Sequence, residues 1–84
     1  MTTPGSESEI REIVREHALR IFELKPEALG DETDFREAGG DSLQHLELVA
    51  ALRDRLGVEY TVSDETEMHS VSATVKITLR ALGV

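Results

Sequence analysis

Gly39-Gly40-Asp41-Ser42-Leu43 brings two glycines, an acid and a small hydroxyl up to the point where a helical rhythm begins. From Leu43 onward, Leu46, Leu48, Val49, Leu52 and Leu56 recur at three- and four-residue steps. The spacing predicts a helix over 42–56, stopped at Gly57, the residue type that most often follows a helix end. Ser42 then sits at or beside a helix N-terminus. Unpaired N–H groups and the positive end of the helix dipole favour an anion there. A serine so placed can carry a phosphodiester whose charge the backbone stabilises. Serine or aspartate before an apolar helix is also the commonest N-cap, and the residues alone leave both readings open.

The predicted helix carries two apolar stripes. Leu48, Leu52 and Leu56, with Val49, make one continuous face at four-residue spacing, which is assigned to the core. Leu43, Leu46 and Ala50 make a second stripe that starts beside Ser42, with Glu47 next to it. Periodicity does not decide whether that second stripe is buried or exposed.

Upstream, Ser6 and Glu9 match a capping box. Ile10, Ile13, Val14, Ala18, Ile21 and Phe22 follow in amphipathic register, predicting a helix over 7–23 that Pro26 ends. His17 falls on that stripe and is given no role. Residues 1–5 read as a flexible tail and 6–84 as one domain. The connection 24–41 has no clear period, and its isolated Leu29 and Phe35 are expected to plug into the core. Downstream, Ser63 is expected to cap a short turn over 64–68 that points Met68 inward. Ser70 is expected to cap a last element, 71–82, whose pattern is ambiguous. Val75, Ile77, Leu79 and Ala81 alternate like a strand, while Val71, Val75, Thr78, Leu79 and Leu82 fit a helix. A lone strand would have no partner in this chain, so helix is the expectation. The expected core is Ile10, Val14, Ile21, Phe35, Leu48, Val49, Leu52, Leu56, Val71, Val75 and Leu79.

Composition bounds the function. The chain has 84 residues, 31% charged and 39% hydrophobic, with a net charge of −8. That suits a folded domain and argues against binding nucleic acid, which needs positive charge to displace counterions. With no cysteine, neither a disulfide nor a thiolate metal site can form, and any thiol must come from an attached group. His17, His45 and His69 form no ligand motif, so no metal is expected. No apolar run approaches a membrane span or a signal segment, which leads to the expectation of a cytoplasmic monomer without membrane contact.

Asp41-Ser42-Leu43, with Glu47-Leu48-Val49 and Ala51-Leu52 downstream, then Gly57-Val58-Glu59-Tyr60 and the acidic run into Ser70-Val71, resembles the acyl and peptidyl carrier proteins. The resemblance implies an all-α fold: a small antiparallel bundle of three main helices plus one short helix, with a long first loop. It implies that Ser42, flanked by Asp41 and Leu43, receives 4′-phosphopantetheine from coenzyme A through a phosphopantetheinyl transferase. It implies no catalysis by the chain itself, and as partners the synthase, acyltransferase or ligase enzymes that load and use the acyl group. Leu46, Glu47 and Ala50, with Leu43 beside them and Met68 near the cofactor, are then the docking residues. Where the fatty-acid type continues with acids at this helix end, the chain reads Arg53-Asp54-Arg55. The expectation is a free-standing bacterial carrier in polyketide biosynthesis, with peptidyl carriage in nonribosomal peptide synthesis as the alternative. Two remoter readings are weighed. Gly40-Asp41-Ser42-Leu43 spells the nucleophile block of GDSL esterases, but the chain has no Asp-x-x-His pair and no strand pattern before Gly39. An acidic helical binding module would explain the charge and the stripes but gives the glycine pair no purpose.

Overall fold

The computed structural model describes residues 6–83, so the tail expected at residues 1–5 lies outside the described residues. Four α-helices account for the architecture: α1 Glu7–Phe22, α2 Ser42–Leu56, α3 Val62–Glu67 and α4 Val71–Leu82. No strand occurs among the described residues. The fold is the expected all-α bundle of three main helices and one short one.

Each helix starts where a side chain satisfies an otherwise orphaned N–H. Ser6 Oγ accepts the Glu9 N–H at 3.2 Å at the head of α1. Asp41 Oδ1 accepts the Gln44 N–H at 2.8 Å, and Gln44 Oε1 accepts the Asp41 N–H at 3.1 Å, a complete capping box for α2. α3 is capped by Thr61, not by Ser63 as expected. Thr61 Oγ1 takes the Asp64 N–H and Asp64 Oδ2 takes the Thr61 N–H, which sets the helix two residues earlier. Ser70 Oγ accepts the Ala73 N–H and opens α4.

The helix ends correct one expectation. α1 stops at Phe22 because Glu23 turns left-handed, at φ 56°, and returns its N–H to the Leu19 carbonyl. Pro26 therefore does not end the helix. It starts a separate 3₁₀ turn, Pro26–Ala28, where its missing N–H costs nothing.

α1 is the central helix: it packs against both α2 and α4, while α3 leans on α4. The Gln44 side-chain amide donates to the Ile21 carbonyl at 3.2 Å, so the start of α2 meets the end of α1 and the two run antiparallel. Of the expected core, ten residues are buried, from Ile10 and Val14 to Val71 and Val75. Leu79 is only partly buried, at the edge of the α4 face. The helical twist instead turns Thr74, Thr78 and Ile77 inward. Thr78 Oγ1 and the Tyr60 hydroxyl share a 2.8 Å hydrogen bond.

The long connection is ordered by its own bonds. Leu29 is 1% exposed and Phe35 3% exposed, so both anchors plug into the core as expected. Arg15 Nη1 donates to the Leu29 carbonyl at 2.7 Å and to Asp31 Oδ1 at 3.0 Å, and Arg11 Nη1 to Asp31 Oδ2 at 2.9 Å. The Phe35 N–H reaches the His69 carbonyl at 2.8 Å, and the Ser72 N–H the Asp31 carbonyl at 2.9 Å. These bonds strap the connection across α1 and the start of α4. No helix of the described residues is long and apolar enough to cross a membrane.

Candidate functional site

The chain approaches Ser42 through a tight turn. Asp34 Oδ1 accepts the N–H groups of Arg36 and Glu37, at 2.8 and 3.3 Å. The Ala38 N–H then donates to the Asp34 carbonyl, Gly39 to Arg36 and Gly40 to Phe35, at 3.0, 3.0 and 2.9 Å. Gly39 has φ +105°, a conformation side chains rarely adopt, and open space around it. Gly40 is needed for a different reason: a Cβ there would run into the Phe22 ring and the Phe35 carbonyl. Phe22 and Phe35 are stacked with ring centroids 4.9 Å apart. The glycine pair thus folds the turn onto an aromatic floor, which gives it a structural purpose independent of enzyme access.

Ser42 is the first residue of α2 and is exposed. The Gln44 N–H is taken by the Asp41 side chain and the His45 N–H by the Asp41 carbonyl at 3.0 Å. The first two N–H groups of the helix, on Ser42 and Leu43, have no intrahelical acceptor, as helix geometry requires. Beside Ser42 opens a surface cleft of about 550 Å³. Phe22 and Phe35 contribute its aromatic side, Leu46 and Val62 its aliphatic lips, and Arg36, His45 and His69 its cationic or titratable groups. His45 Nε2–H donates to the Glu65 carbonyl at 2.8 Å, tying α2 to α3 across the cleft.

The structure brings Asp41, Ser42 and Leu46 together on the cleft wall. Leu43 is 67% exposed and Leu46 56%, and Glu47 is exposed, while Ala50 is half-buried. The second apolar stripe of α2 therefore faces solvent at its N-terminal end, which periodicity had left open. Met68, expected among the docking residues near the cofactor, is fully buried in the main apolar cluster. Val62, 79% exposed on the opposite lip, was not anticipated. Its signal was an apolar residue directly after the Thr61 cap. Arg36 and His69 were missed too, because nothing local to either residue marks it as lining a cleft with Ser42.

The esterase reading finds no support in this geometry. No strand precedes Gly39 among the described residues, and His45 commits Nε2 to a backbone carbonyl. His45 cannot use that nitrogen as a base toward Ser42.

The family model described as "Phosphopantetheine attachment site" matches residues 12–82. No curated protein matches the chain.

Proposed function

The chain belongs to the phosphopantetheine attachment-site family, whose members are non-catalytic carriers of a covalent 4′-phosphopantetheine, and on that premise we propose that Ser42 is the attachment residue. The observation that carries this reading is the exposed Ser42 hydroxyl at the first position of α2, at the mouth of the cleft. The site suits the group. Two free N–H groups and the helix dipole can meet a phosphodiester. The apolar surfaces of Phe22, Phe35, Leu46 and Val62 can cover the aliphatic part of the arm.

In the attachment step the Ser42 hydroxyl loses its proton and a new Oγ–P bond forms. The P–O–P bond of coenzyme A breaks, and the adenosine bisphosphate half leaves. A separate phosphopantetheinyl transferase supplies that chemistry. The chain's own part is to present Ser42, exposed at the head of α2. With no cysteine in the sequence, the arm brings the protein's only thiol. A substrate held there as a thioester meets successive enzymes at raised effective concentration. Among such pathways we favour acyl carriage in polyketide biosynthesis, because the segment after Ser42 resembles that type. Aminoacyl carriage is the second choice, because Gly39-Gly40-Asp41-Ser42-Leu43 resembles peptidyl carriers as well as some polyketide carriers.

Intact-mass spectrometry tests the reading. With coenzyme A, magnesium and a broad-specificity transferase, the wild type should gain one phosphopantetheine and Ser42→Ala none. Ser42→Ala should still fold, because Asp41 and not Ser42 caps α2. A gain that survives in Ser42→Ala, or no gain with a transferase active on other carriers, overturns the assignment.

A further inference from the structure

We propose that Arg36 is a positioning residue that pairs with the phosphodiester on Ser42, an inference that rests on Ser42 being the attachment point. The four ion pairs among the described residues use Arg11 twice, Arg15 and Arg80. Arg20, Lys25, Arg36, Arg53, Arg55 and Lys76 have no carboxylate partner in that set. Of those six, Arg36 alone lines the cleft with Ser42.

The turn explains how a residue six positions upstream comes to line the same cleft as the serine. The Gly39 N–H bonds back to the Arg36 carbonyl and the Gly40 N–H to the Phe35 carbonyl, folding 35–40 onto itself. Asp34 lines the same cleft, and its Oδ1 is engaged by the N–H groups of Arg36 and Glu37. Asp41 also lines the cleft, and its Oδ1 is bonded to the Gln44 N–H. A phosphodiester added at Ser42 would stand beside the Asp41 carboxylate, and a nearby cation would offset that like-charge contact. A guanidinium fits the task, because its planar fork matches two phosphate oxygens and it stays charged at every working pH. His45 offers less, with Nε2 held by Glu65. His69 shares the cleft, but an imidazole lacks the planar fork that meets two phosphate oxygens at once.

The consequence is directional. A pair between residue 36 and the phosphate would hold the root of the arm on the 34–40 side of Ser42, aiming it along the cleft. Side-chain ¹⁵N and ³¹P NMR of the intact protein, before and after loading, read this directly. On loading of the wild type, the Arg36 Nε–H resonance should shift, while those of Arg20 and Arg53 stay put. Arg36→Gln should move the ³¹P resonance of the loaded protein, and Arg36→Lys should restore part of that change. The Arg36 shift should shrink toward about 1 M salt, where the screening length falls to about 3 Å. An unmoved Arg36 resonance, with a ³¹P signal identical in Arg36→Gln, overturns the inference when intact mass shows complete loading. Absence of loading on Ser42 overturns the attachment reading itself, and the mass spectrum separates the two failures.

Discussion

A Cβ built on Gly40 would stand 2.6 Å from Cε1 and 2.7 Å from Cδ1 of Phe22, and 2.9 Å from the Phe35 carbonyl oxygen. The last aromatic ring of α1 thus packs directly on the backbone that leads into Asp41 and Ser42. Gly40→Ala should destabilise the fold by about 1–3 kcal/mol, the usual cost of overpacking. Phe22→Leu should recover part of that loss in a double-mutant cycle, because the two changes share one contact. Gly39→Ala meets no atom within 4 Å, but its φ of +105° makes it costly through backbone strain, and Phe22→Leu should not rescue it. Urea midpoints of the wild type, the three single variants and the two double variants check the scheme. Equal rescue of both glycine variants would show that the Gly40–Phe22 contact is not what the glycine serves.

Leu52 and Leu46 sit on the same helix and separate core from surface. Leu52 is 0% exposed and Leu46 56%. Leu52→Ala should cost about 2–5 kcal/mol, as buried leucine truncations do. Leu46→Ala should stay within about 0.5 kcal/mol. Chemical denaturation of the pair settles it, and a small loss at Leu52 would mean that the other face of α2 is the buried one.

The readable parts of this chain are the local ones. Ser6, Ser70 and Gly57 announce helix ends by side-chain or backbone chemistry that a sequence displays directly. Leu48, Leu52 and Leu56 announce a buried face by spacing. What could not be read depends on contacts made across the fold. Gly40 looks like a hinge beside a serine until Phe22, far earlier in the chain, is seen against it. Arg36 comes to line the cleft of Ser42 through the bonds that fold the intervening turn. Leu79 fits both the strand and the helix pattern of its segment. The strand-like alternation of Val75, Ile77, Leu79 and Ala81 cuts across the face the helix buries, which is Val71, Thr74, Val75, Ile77 and Thr78.

Asp64 holds α3 through three contacts. Its carboxylate accepts the Thr61 N–H at 2.9 Å and pairs with Arg80 at 3.1 Å, and its own N–H is capped by Thr61. The Thr61 backbone hydrogen bond, with help from Arg80, holds its carboxyl below the ordinary value of 3.8, against the opposing effect of burial. A carboxyl lowered by folding contributes stability above its unfolded value and loses it as pH falls through the folded one. The wild type should therefore shed stability as pH drops below 3.8, and Asp64→Asn should flatten that part of the profile. Amide exchange of residues 62–67 against pH is the direct measurement. Identical acid limbs in the two proteins would remove Asp64 from the account.

Leu46 and Glu47 are exposed on α2 next to Ser42, with Val62 exposed on the opposite lip of the cleft. Carrier domains of this family work with transferase and synthase partners, and this surface is our proposal for where such partners dock. The two α2 positions should fail differently. Glu47→Lys changes a rim charge, so it should lower the association rate with a basic-faced partner at low salt and lose that effect as salt screens it. Leu46→Asp places a charge in the apolar lip, so its loss of turnover should persist at high salt, and Val62→Asp should behave likewise. All three side chains are exposed, so helicity and Tm should hold. The second-order rate constant for loading Ser42, measured at two salt concentrations, separates these behaviours for the transferase. Repeating the measurement with an acyl-loading enzyme shows whether the same surface serves both partners. Rates that ignore all three substitutions, with every partner tested, would move the docking surface away from the α2–α3 cleft.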